Sequence, residues 1–314
     1  MPKKKKSKDN EKKKDLIAGL PKKEHISQGH RACAGCANIL AVRHALKAAG
    51  KDVIVVSATG CMEVVTSPYP QTAWKVPWIH ATFENAGAVA SGIAESLKKQ
   101  NNSKTKVLAI AGDGGTFDIG LQSLSGAVER NHDFTYICYD NEAYMNTGIQ
   151  RSGSTPKYAA TTTSPAGKKI HGKIEFKKHM PMIIAAHNEN VYVATANMAY
   201  PMDYYKKVKK GLEHKGPAYI QVLCTCVPGW KVPSNISIDL LKLAYNAKIT
   251  PLYEIENGKL KFTMKPEKPI SVNRYLNLQG RFKHLNKAEI AEIQEHVDEE
   301  FEKLEKLEES EVKI

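Results

Sequence analysis

Two short polar loops contain the side chains best suited to bind a metal ion and a diphosphate. Gly112-Asp113-Gly114-Gly115 follows the apolar run 107–111, and Asp140-Asn141 follows the apolar run 134–139. Mg²⁺ prefers oxygen ligands and shares them with phosphates; Asp113 supplies a charged oxygen and Asn141 a neutral one. Gly112, Gly114 and Gly115 allow main-chain N–H groups to approach phosphate oxygens, and a helix starting near Asp118 adds its positive end. The pairing predicts a magnesium–diphosphate site.

Four of the six cysteines suggest a second site. Cys33 and Cys36 form a Cys-x-x-Cys unit, Cys61 follows, and Cys226 comes after the last apolar run of the core. Four thiolates bind either a [4Fe–4S] cluster or a structural Zn²⁺. Zinc ribbons usually pair two Cys-x-x-Cys units. The single unit here favours a cluster and leaves zinc open.

The remaining cysteines are less informative. Cys138 lies in an apolar run and is expected to be a buried, inert thiol. Cys224 is near enough to Cys226 to be confused with it as the fourth ligand, but the Pro-Gly-Trp sequence that follows favours Cys226. Trp230, at the end of that sequence, is expected either to shield a cluster from water or simply to belong to the core.

The elements that must position these residues alternate between strands and helices. The predicted strands are Val53–Val56, Val107–Ala111, Phe134–Tyr139, Val191–Ala194 and Tyr219–Leu223. This alternation predicts an α/β fold with a mainly parallel sheet and helices on both faces. Ligands of such sheets bind at the carboxyl ends of the strands, which is where both loops and two of the cysteines fall.

We expect three regions: a basic tail at 1–24, a cofactor-binding core at 25–230 and an extension at 231–314. The tail contains ten lysines and four acids and so carries +6 of the formal charge of +13. It contains no aromatic residue, which argues against nucleic-acid binding. A solvated tail or docking to an acidic partner remain the alternatives. The extension ends in a predicted helix, capped by Asn286 and Glu289, with one apolar stripe.

No signal peptide and no apolar run of membrane-spanning length is evident, so a cytoplasmic protein is expected.

The two loops also resemble a known family. The strings Gly112-Asp113-Gly114-Gly115-Thr116-Phe117-Asp118-Ile119-Gly120 and Tyr139-Asp140-Asn141-Glu142-Ala143-Tyr144-Met145-Asn146-Thr147-Gly148 are similar to beta subunits of 2-oxoacid:ferredoxin oxidoreductases of the pyruvate synthase type. The similarity spans about residues 28–230. It implies the thiamine-diphosphate-binding fold, with thiamine diphosphate, Mg²⁺ and a [4Fe–4S] cluster as cofactors.

The resemblance also assigns site residues. It implies that Mg²⁺ is held by Asp113, the Asn141 side chain and the Ala143 carbonyl. It implies that Asn146 is catalytic and lies beside the thiazolium. Phe117 is expected among the cofactor-binding residues, together with Gly112, Gly114 and Gly115. The cluster ligands implied by the resemblance are Cys33, Cys36, Cys61 and Cys226.

The implied activity is oxidative decarboxylation of a small 2-oxoacid, with electrons passing through the cluster to ferredoxin. A partner subunit is expected to supply the glutamate that activates the aminopyrimidine, together with further clusters. Pyruvate enzymes commonly carry Tyr where this chain has Phe117, and the chain as a whole resembles the oxalate oxidoreductase beta subunit. Oxalate is therefore the favoured substrate, and pyruvate conversion to acetyl-CoA is the alternative.

Two other classes compete with this hypothesis. A zinc-stabilised nucleic-acid-binding module would explain the cysteines and the basic tail, but not the pairing of Asp113 with Asn141. A non-redox thiamine decarboxylase or synthase would explain that pairing but not the four cysteines.

Overall fold

The computed structural model describes residues 16–314. Within this range ten strands form two sheets. The strands are β1 (Leu16–Ile17), β2 (Leu20–Pro21), β3 (Val53–Ala58), β4 (Trp78–Ala81), β5 (Lys106–Gly112), β6 (Thr135–Asp140), β7 (Tyr192–Asn197), β8 (Ala218–Leu223), β9 (Leu252–Glu256) and β10 (Lys259–Met264). All five strands predicted from the sequence are confirmed, with ends that differ by at most three residues.

Eight of these strands form one sheet in the order β10-β9-β7-β8-β6-β5-β3-β4. The pairs from β4 to β7 are all parallel, and β9 pairs antiparallel with both β7 and β10. The predicted mainly parallel sheet is therefore confirmed. The strands β8, β6, β5 and β3 are consecutive neighbours, so the loops after them emerge side by side at one edge of the sheet.

Helices cover both faces of the sheet. They are α1 (Ala37–Ala49), α2 (Cys61–Thr66), α3 (Ala86–Lys99), α4 (Leu121–Glu129), α5 (Met180–Ala185), α6 (Pro201–Glu213), α7 (Val227–Trp230), α8 (Ser237–Asn246), α9 (Asn273–Leu276) and α10 (Lys287–Ser310). The alternating strand side chains feed two apolar cores. One core lies under α1, α6 and α8, and the other lies under α3, α4, α5 and α10.

The extension after residue 230 joins the core's own sheet. Its strands β9 and β10 form a hairpin closed by Asn257 and Gly258, both with positive φ, as a two-residue hairpin turn requires. Helix α10 packs on this hairpin, with the ring centroids of Phe301 and Phe262 5.2 Å apart. The main-chain N–H of Phe262 donates to Glu308 of α10 at 2.7 Å. The helix predicted to end the chain is thus confirmed and packs on the core.

The predicted cap of α10 is also present. Asn286 accepts from the main-chain N–H of Glu289, and the Glu289 side chain accepts from the main-chain N–H of Asn286. The reciprocal pair satisfies two N–H groups that a helix start otherwise leaves free.

Residues 1–15 of the predicted basic tail lie outside the described residues. The remainder of that region is attached to the core: β1 and β2 form a small hairpin, and Glu24 forms ion pairs with Arg43 and Lys47 of α1. Each helix in the described part of the chain is too short or too polar to span a lipid bilayer.

Candidate active site

The two polar loops meet at the carboxyl edge of the sheet, as the strand order requires. Asp113 directly follows β5, and Asn141 directly follows β6. A small cavity, about 20 Å³ in volume, is lined by both loops and by the turn that follows β3. Of the predicted cofactor-binding residues it includes Gly112, Asp113, Gly114, Gly115, Asn141, Ala143 and Asn146, and it also includes Cys61. One end of the sheet therefore brings the two predicted sites together.

Three oxygen-bearing groups converge in this cavity. The side-chain amide of Asn141 lies 3.0 Å from Asp113 Oδ1 and 2.9 Å from the main-chain oxygen of Ala143. Neighbouring ligands on an octahedral Mg²⁺ at about 2.1 Å stand about 3.0 Å apart, so the spacing suits that ion. If the amide presents its oxygen, three oxygens face one point and require a cation. If it presents its nitrogen, the amide itself donates to both oxygens. The donor set therefore fits Mg²⁺.

The Asp113 carboxyl group is held by a second contact. Ser152 donates to Asp113 Oδ2 at 2.5 Å, and the main-chain N–H of Asn141 lies 3.3 Å from Oδ1. Asp113 is only 1% exposed. Burial, together with the nearby Asp140, raises the pKa of Asp113 well above its ordinary value. A bound cation would stabilise the charged form of Asp113, because it offsets both the cost of burial and the repulsion from Asp140.

The glycines leave room where the chain comes closest to itself. A Cβ on Gly114 would lie 2.5 Å from the ring of Tyr144, whose hydroxyl donates to the Gly114 carbonyl at 3.0 Å. A single π-type turn occupies Gly114–Asp118, and α4 begins at Leu121. Helical structure thus starts before Asp118, the expected position. Since Tyr144 covers the turn, a diphosphate needs this side chain to move, or further site volume from outside this chain.

A buried set of charges lies behind the cation loop. Glu142, only 2% exposed, pairs with Arg281 at 2.5 Å, and Lys177 contacts both Asp140 and Glu142. Burial alone would raise the pKa of Glu142, but Arg281 and Lys177 hold it below the ordinary value. Sequence reasoning missed this set, because 139 residues separate Glu142 from Arg281. Its effect is to fix the main chain on both sides of Asn141.

Three of the four predicted cluster cysteines occur where helices begin. Cys36 precedes α1, Cys61 is the first residue of α2, and Cys226 precedes α7. Main-chain N–H groups approach two of these thiols: those of Asn38 and Ile39 at Cys36, and that of Gly229 at Cys226. Free N–H groups at a helix start stabilise thiolates and the sulfurs of a cluster.

The four cysteines lie close enough to affect one another. Burial, reinforced by Cys226 and Cys36, raises the pKa of Cys61 to about 12, and burial raises the pKa of Cys226 to about 12. No three His, Cys, Asp or Glu side chains within residues 16–314 converge tightly enough to hold one metal ion. A [4Fe–4S] cluster binds each thiolate through a different iron and so suits a wider spacing than Zn²⁺ does. Cys138 is completely buried, as expected, and so is Cys224.

Two other predicted residues have contrasting positions. Asn146 lies in an exposed turn that lines the cavity, where a second molecule can reach it. Phe117 does not line the cavity; it is fully buried in the apolar core under α3 and α4. Phe117 therefore belongs to the core of this chain, and it carries no weight in the choice between oxalate and pyruvate.

The sequence left open whether Trp230 shields a cluster or belongs to the core. In the structure Trp230 is a buried residue that supports the site. Its indole is completely buried and its Nε1 donates to the Asn141 carbonyl at 2.8 Å. The Arg281 guanidinium lies over the indole, 4.1 Å from the ring centroid. Since Trp230 ends the short helix that directly follows Cys226, it joins the cysteine segment to the cation loop.

Comparison with known proteins identifies the family of this chain. Residues 58–222 match the family described as thiamine pyrophosphate enzyme, C-terminal TPP binding domain. The chain is 54% identical to pyruvate synthase subunit PorB of Methanocaldococcus jannaschii, covering 90% of this chain and 97% of that protein. It is 46% identical to PorB of Thermotoga maritima, covering 91% and 93%. It is 45% identical to ketoisovalerate oxidoreductase subunit VorB of Pyrococcus furiosus, covering 90% and 92%.

A solved structure shares the fold. It is a 2-oxoglutarate:ferredoxin oxidoreductase from Magnetococcus marinus, with a TM-score of 0.54 and 22% identity, covering 69% of this chain and 79% of that one. The expected affinity to oxalate oxidoreductase is not supported by these relatives, whose names fit the pyruvate alternative better. The relatives are named as subunits of pyruvate synthase and of ketoisovalerate oxidoreductase. The chain belongs to the 2-oxoacid:ferredoxin oxidoreductases, as the subunit that carries their thiamine-diphosphate-binding domain.

Proposed function

We propose that this chain is the beta subunit of a pyruvate synthase and binds thiamine diphosphate, Mg²⁺ and one [4Fe–4S] cluster. The observation that carries the proposal is the convergence of Asp113 Oδ1, the Asn141 amide and the Ala143 carbonyl in a cavity that also includes Cys61. A cation–diphosphate site beside a cysteine set is what decarboxylation coupled to one-electron transfer needs.

In this proposal Asp113, Asn141 and Ala143 hold Mg²⁺, and the turn at Gly112–Gly115 meets the diphosphate. Thiamine diphosphate, when bound, supplies the carbanion chemistry that removes CO₂ from a 2-oxoacid. The protein's task is to orient the reacting groups and to exclude water from them. Ser152 fixes the Asp113 carboxyl group, Trp230 fixes the Asn141 main chain, and Asn146 faces outward where a substrate on the cofactor would arrive.

Cys33, Cys36, Cys61 and Cys226 hold the cluster in this proposal. Cys33 is exposed, whereas Cys226 is only 8% exposed, so the cluster would have one side in the protein and one side toward the surface. That arrangement suits a carrier which accepts electrons inside and passes them outward. Ferredoxin is the proposed final acceptor, through further clusters on partner subunits.

The partner subunit is also proposed to complete the thiamine site. The cavity that this chain encloses is about 20 Å³, far less than a cofactor needs. The aminopyrimidine-activating glutamate is therefore assigned to the partner, as the resemblance of the sequence implies.

Pyruvate is proposed as the substrate because the relatives named as pyruvate synthase are 46–54% identical over about nine-tenths of the chain. A branched 2-oxoacid is the second candidate, since the VorB relative is 45% identical over a similar share.

The test is cofactor analysis and turnover of the native complex, purified without oxygen. We expect about four iron and four sulfide assignable to this chain, and thiamine diphosphate with Mg²⁺. Cys36→Ser should lose this iron, whereas Cys138→Ala, at a buried thiol that is not a proposed ligand, should keep it. Pyruvate with coenzyme A should reduce ferredoxin faster than 3-methyl-2-oxobutanoate or oxalate does. Zinc in place of iron would overturn the redox assignment. A faster rate with 3-methyl-2-oxobutanoate or oxalate would overturn the assignment of pyruvate as the substrate.

A further inference from the structure

A second cavity, about 200 Å³ in volume, lies between the sheet and the extension that follows residue 230. One wall contains residues of β6, β7 and β8, and the other contains residues of α9, α10 and the loop before α5. Most of the lining is apolar, and its buried apolar members include Tyr253, Leu276, Phe282, Ile293 and Leu304. An apolar cavity of about 150 Å³ holds one benzene ring, so this cavity has room for a single ring or a short branched chain.

Part of the lining is charged, but these charges are already balanced. Asp140 and Glu142 line the cavity, and Lys177 contacts both carboxylates. Arg281 pairs with Glu142 from outside the cavity. Because two bases meet two acids, a cationic ligand would find neither carboxylate without a partner.

Two hydrogen-bond donors in the lining are available to a ligand. Tyr275 is only 2% exposed, and its hydroxyl has no hydrogen-bond partner among the described residues. A buried hydroxyl left unpaired costs free energy, and a ligand that accepts from it removes that cost. The Lys177 amine has three N–H groups and donates to two carboxylates, so one N–H remains. Both donors fit a ligand that carries a hydrogen-bond acceptor.

The other charged residues of the lining favour a negatively charged acceptor. Lys157, Lys178 and Lys248 line the cavity, against one further acid, Glu300. Each of these lysines pairs with an acid near the surface, where solvent screens the charges. They therefore attract an anion without fixing its position. The cavity also reaches the surface, because His179 in its lining has a side chain that is 48% exposed.

We propose that this cavity binds a small carboxylic acid whose apolar body is one ring or a short branched chain. The carboxylate accepts hydrogen bonds from the Tyr275 hydroxyl and the Lys177 amine, and the apolar body lies against the apolar residues of α9 and α10. This cavity and the one at Asp113 share no lining residue. The residues on either side of Asn141 line it, so its occupant lies behind the cation loop. The inference does not rest on the proposed function.

The experiment is a calorimetric titration of the native complex with phenylacetate, which combines one ring with one carboxylate. Phenylacetamide keeps the shape without the charge, and acetate keeps the charge without the ring. Tyr275→Phe removes a hydroxyl that has no partner and keeps the ring, so its fold should be as stable as that of the wild type. Tyr204→Phe is the matched control, because the Tyr204 hydroxyl is also buried without a partner among the described residues but lies in α6, outside this cavity. Val297→Trp enlarges a side chain of α10 that lines the cavity and fills the space.

We expect phenylacetate to bind once per copy of this chain, and phenylacetamide and acetate to bind at least about tenfold more weakly. Tyr275→Phe should weaken phenylacetate binding about tenfold, because it removes one hydrogen bond to a charged group. Tyr204→Phe should bind phenylacetate as the wild type does, Val297→Trp should not bind it, and excess pyruvate should not displace it. Equal affinity in the two tyrosine variants, displacement by pyruvate, or no binding to the wild type would overturn the site. Equal affinity for phenylacetamide would overturn the carboxylate as the group recognised.

Discussion

The indole nitrogen of Trp230 and the carbonyl oxygen of Asn141 are joined by a hydrogen bond of 2.8 Å in the interior of the protein. Neither residue is more than 2% exposed. One belongs to the segment that contains Cys226 and the other to the cation loop. A displacement of either segment is therefore transmitted to the other.

Trp230→Phe should weaken Mg²⁺ binding about threefold to tenfold, because losing one buried hydrogen bond costs about 1 kcal/mol or somewhat more. Calorimetric titration of the cation-free complex measures this. Trp74→Phe is the control: Trp74 Nε1 donates to Thr66 at 2.8 Å and the side chain is also buried, but it lies apart from the cation loop. Equal loss of Mg²⁺ affinity in the two variants would contradict a local role for Trp230.

Ser152→Ala should lower Mg²⁺ affinity by about 10-fold or more, the range seen when a group that orients a metal ligand is removed. The reason is that Ser152 holds the Asp113 oxygen that faces away from the amide of Asn141. Ser154→Ala removes an equally short bond, 2.5 Å, from the same loop to Asp140 instead. Its Mg²⁺ affinity should stay within about twofold of wild type, and a larger loss there would argue against the assignment of Asp113.

Gly35→Ala should reduce the iron content of the complex. Gly35 lies between the two cysteines with φ +77°, and an added Cβ would lie 2.7 Å from the Ser234 carbonyl oxygen. Gly29→Ala is the control that separates backbone strain from a steric clash. Gly29 also has a positive φ, +89°, but no atom lies within 4 Å of the added Cβ. Gly29→Ala should cost only about 1 kcal/mol of stability and keep its iron. Loss of iron in both variants, or in neither, would refute the explanation that the clash with Ser234 displaces the cysteines.

Arg281→Met should lower the free energy of unfolding by about 3–5 kcal/mol, because it leaves the Glu142 carboxylate buried with only Lys177 nearby. The double variant Arg281→Met/Glu142→Gln should recover part of this loss, since no unpaired charge remains. Denaturant unfolding followed by intrinsic fluorescence gives the comparison. As a control, Lys242→Met breaks an exposed pair with Asp239 and should cost less than about 1 kcal/mol. Additive losses in the double variant would mean that the two charges do not interact.

Acid should weaken the attachment of the segment before α1. The Arg43 hydrogen bond, opposed by partial burial and helped by Lys47, lowers the pKa of Glu24 from 4.5 to about 2. A lowered carboxyl pKa adds stability that is complete above pH 4.5 and disappears as the pH falls toward 2. Because Glu24 is partly exposed, the contribution is about 1 kcal/mol. At pH 7 the free energy of unfolding of the wild type, measured by urea titration, should exceed that of Glu24→Gln by this amount. The difference should shrink steadily as the pH falls below 4.5. A stability difference that does not change with pH would show that the ionised Glu24 carboxylate is not its cause.

Five of the six strands joined by parallel pairs could be predicted, because each is a continuous apolar run that ends at a polar loop. The sixth, β4, is largely exposed and was not predicted. The hairpin β9–β10 was missed, although Asn257-Gly258 between two alternating runs is a strong hairpin signal. Asp113 and Asn141 were found because strand ends in a parallel sheet converge. Arg281 was not, since its role depends on a contact with a distant loop and it belongs to no recognisable spacing.

The bond from the Phe262 N–H to Glu308 has a consequence for assembly. β10 is one outer strand of the large sheet, and exposed outer strands attract further strands from other molecules. Glu308 occupies a main-chain donor that such an incoming strand would use, and α10 lies against the same strand. Edge-to-edge growth is therefore blocked on this side, and the opposite border of the sheet, the four-residue strand β4, offers only a short template.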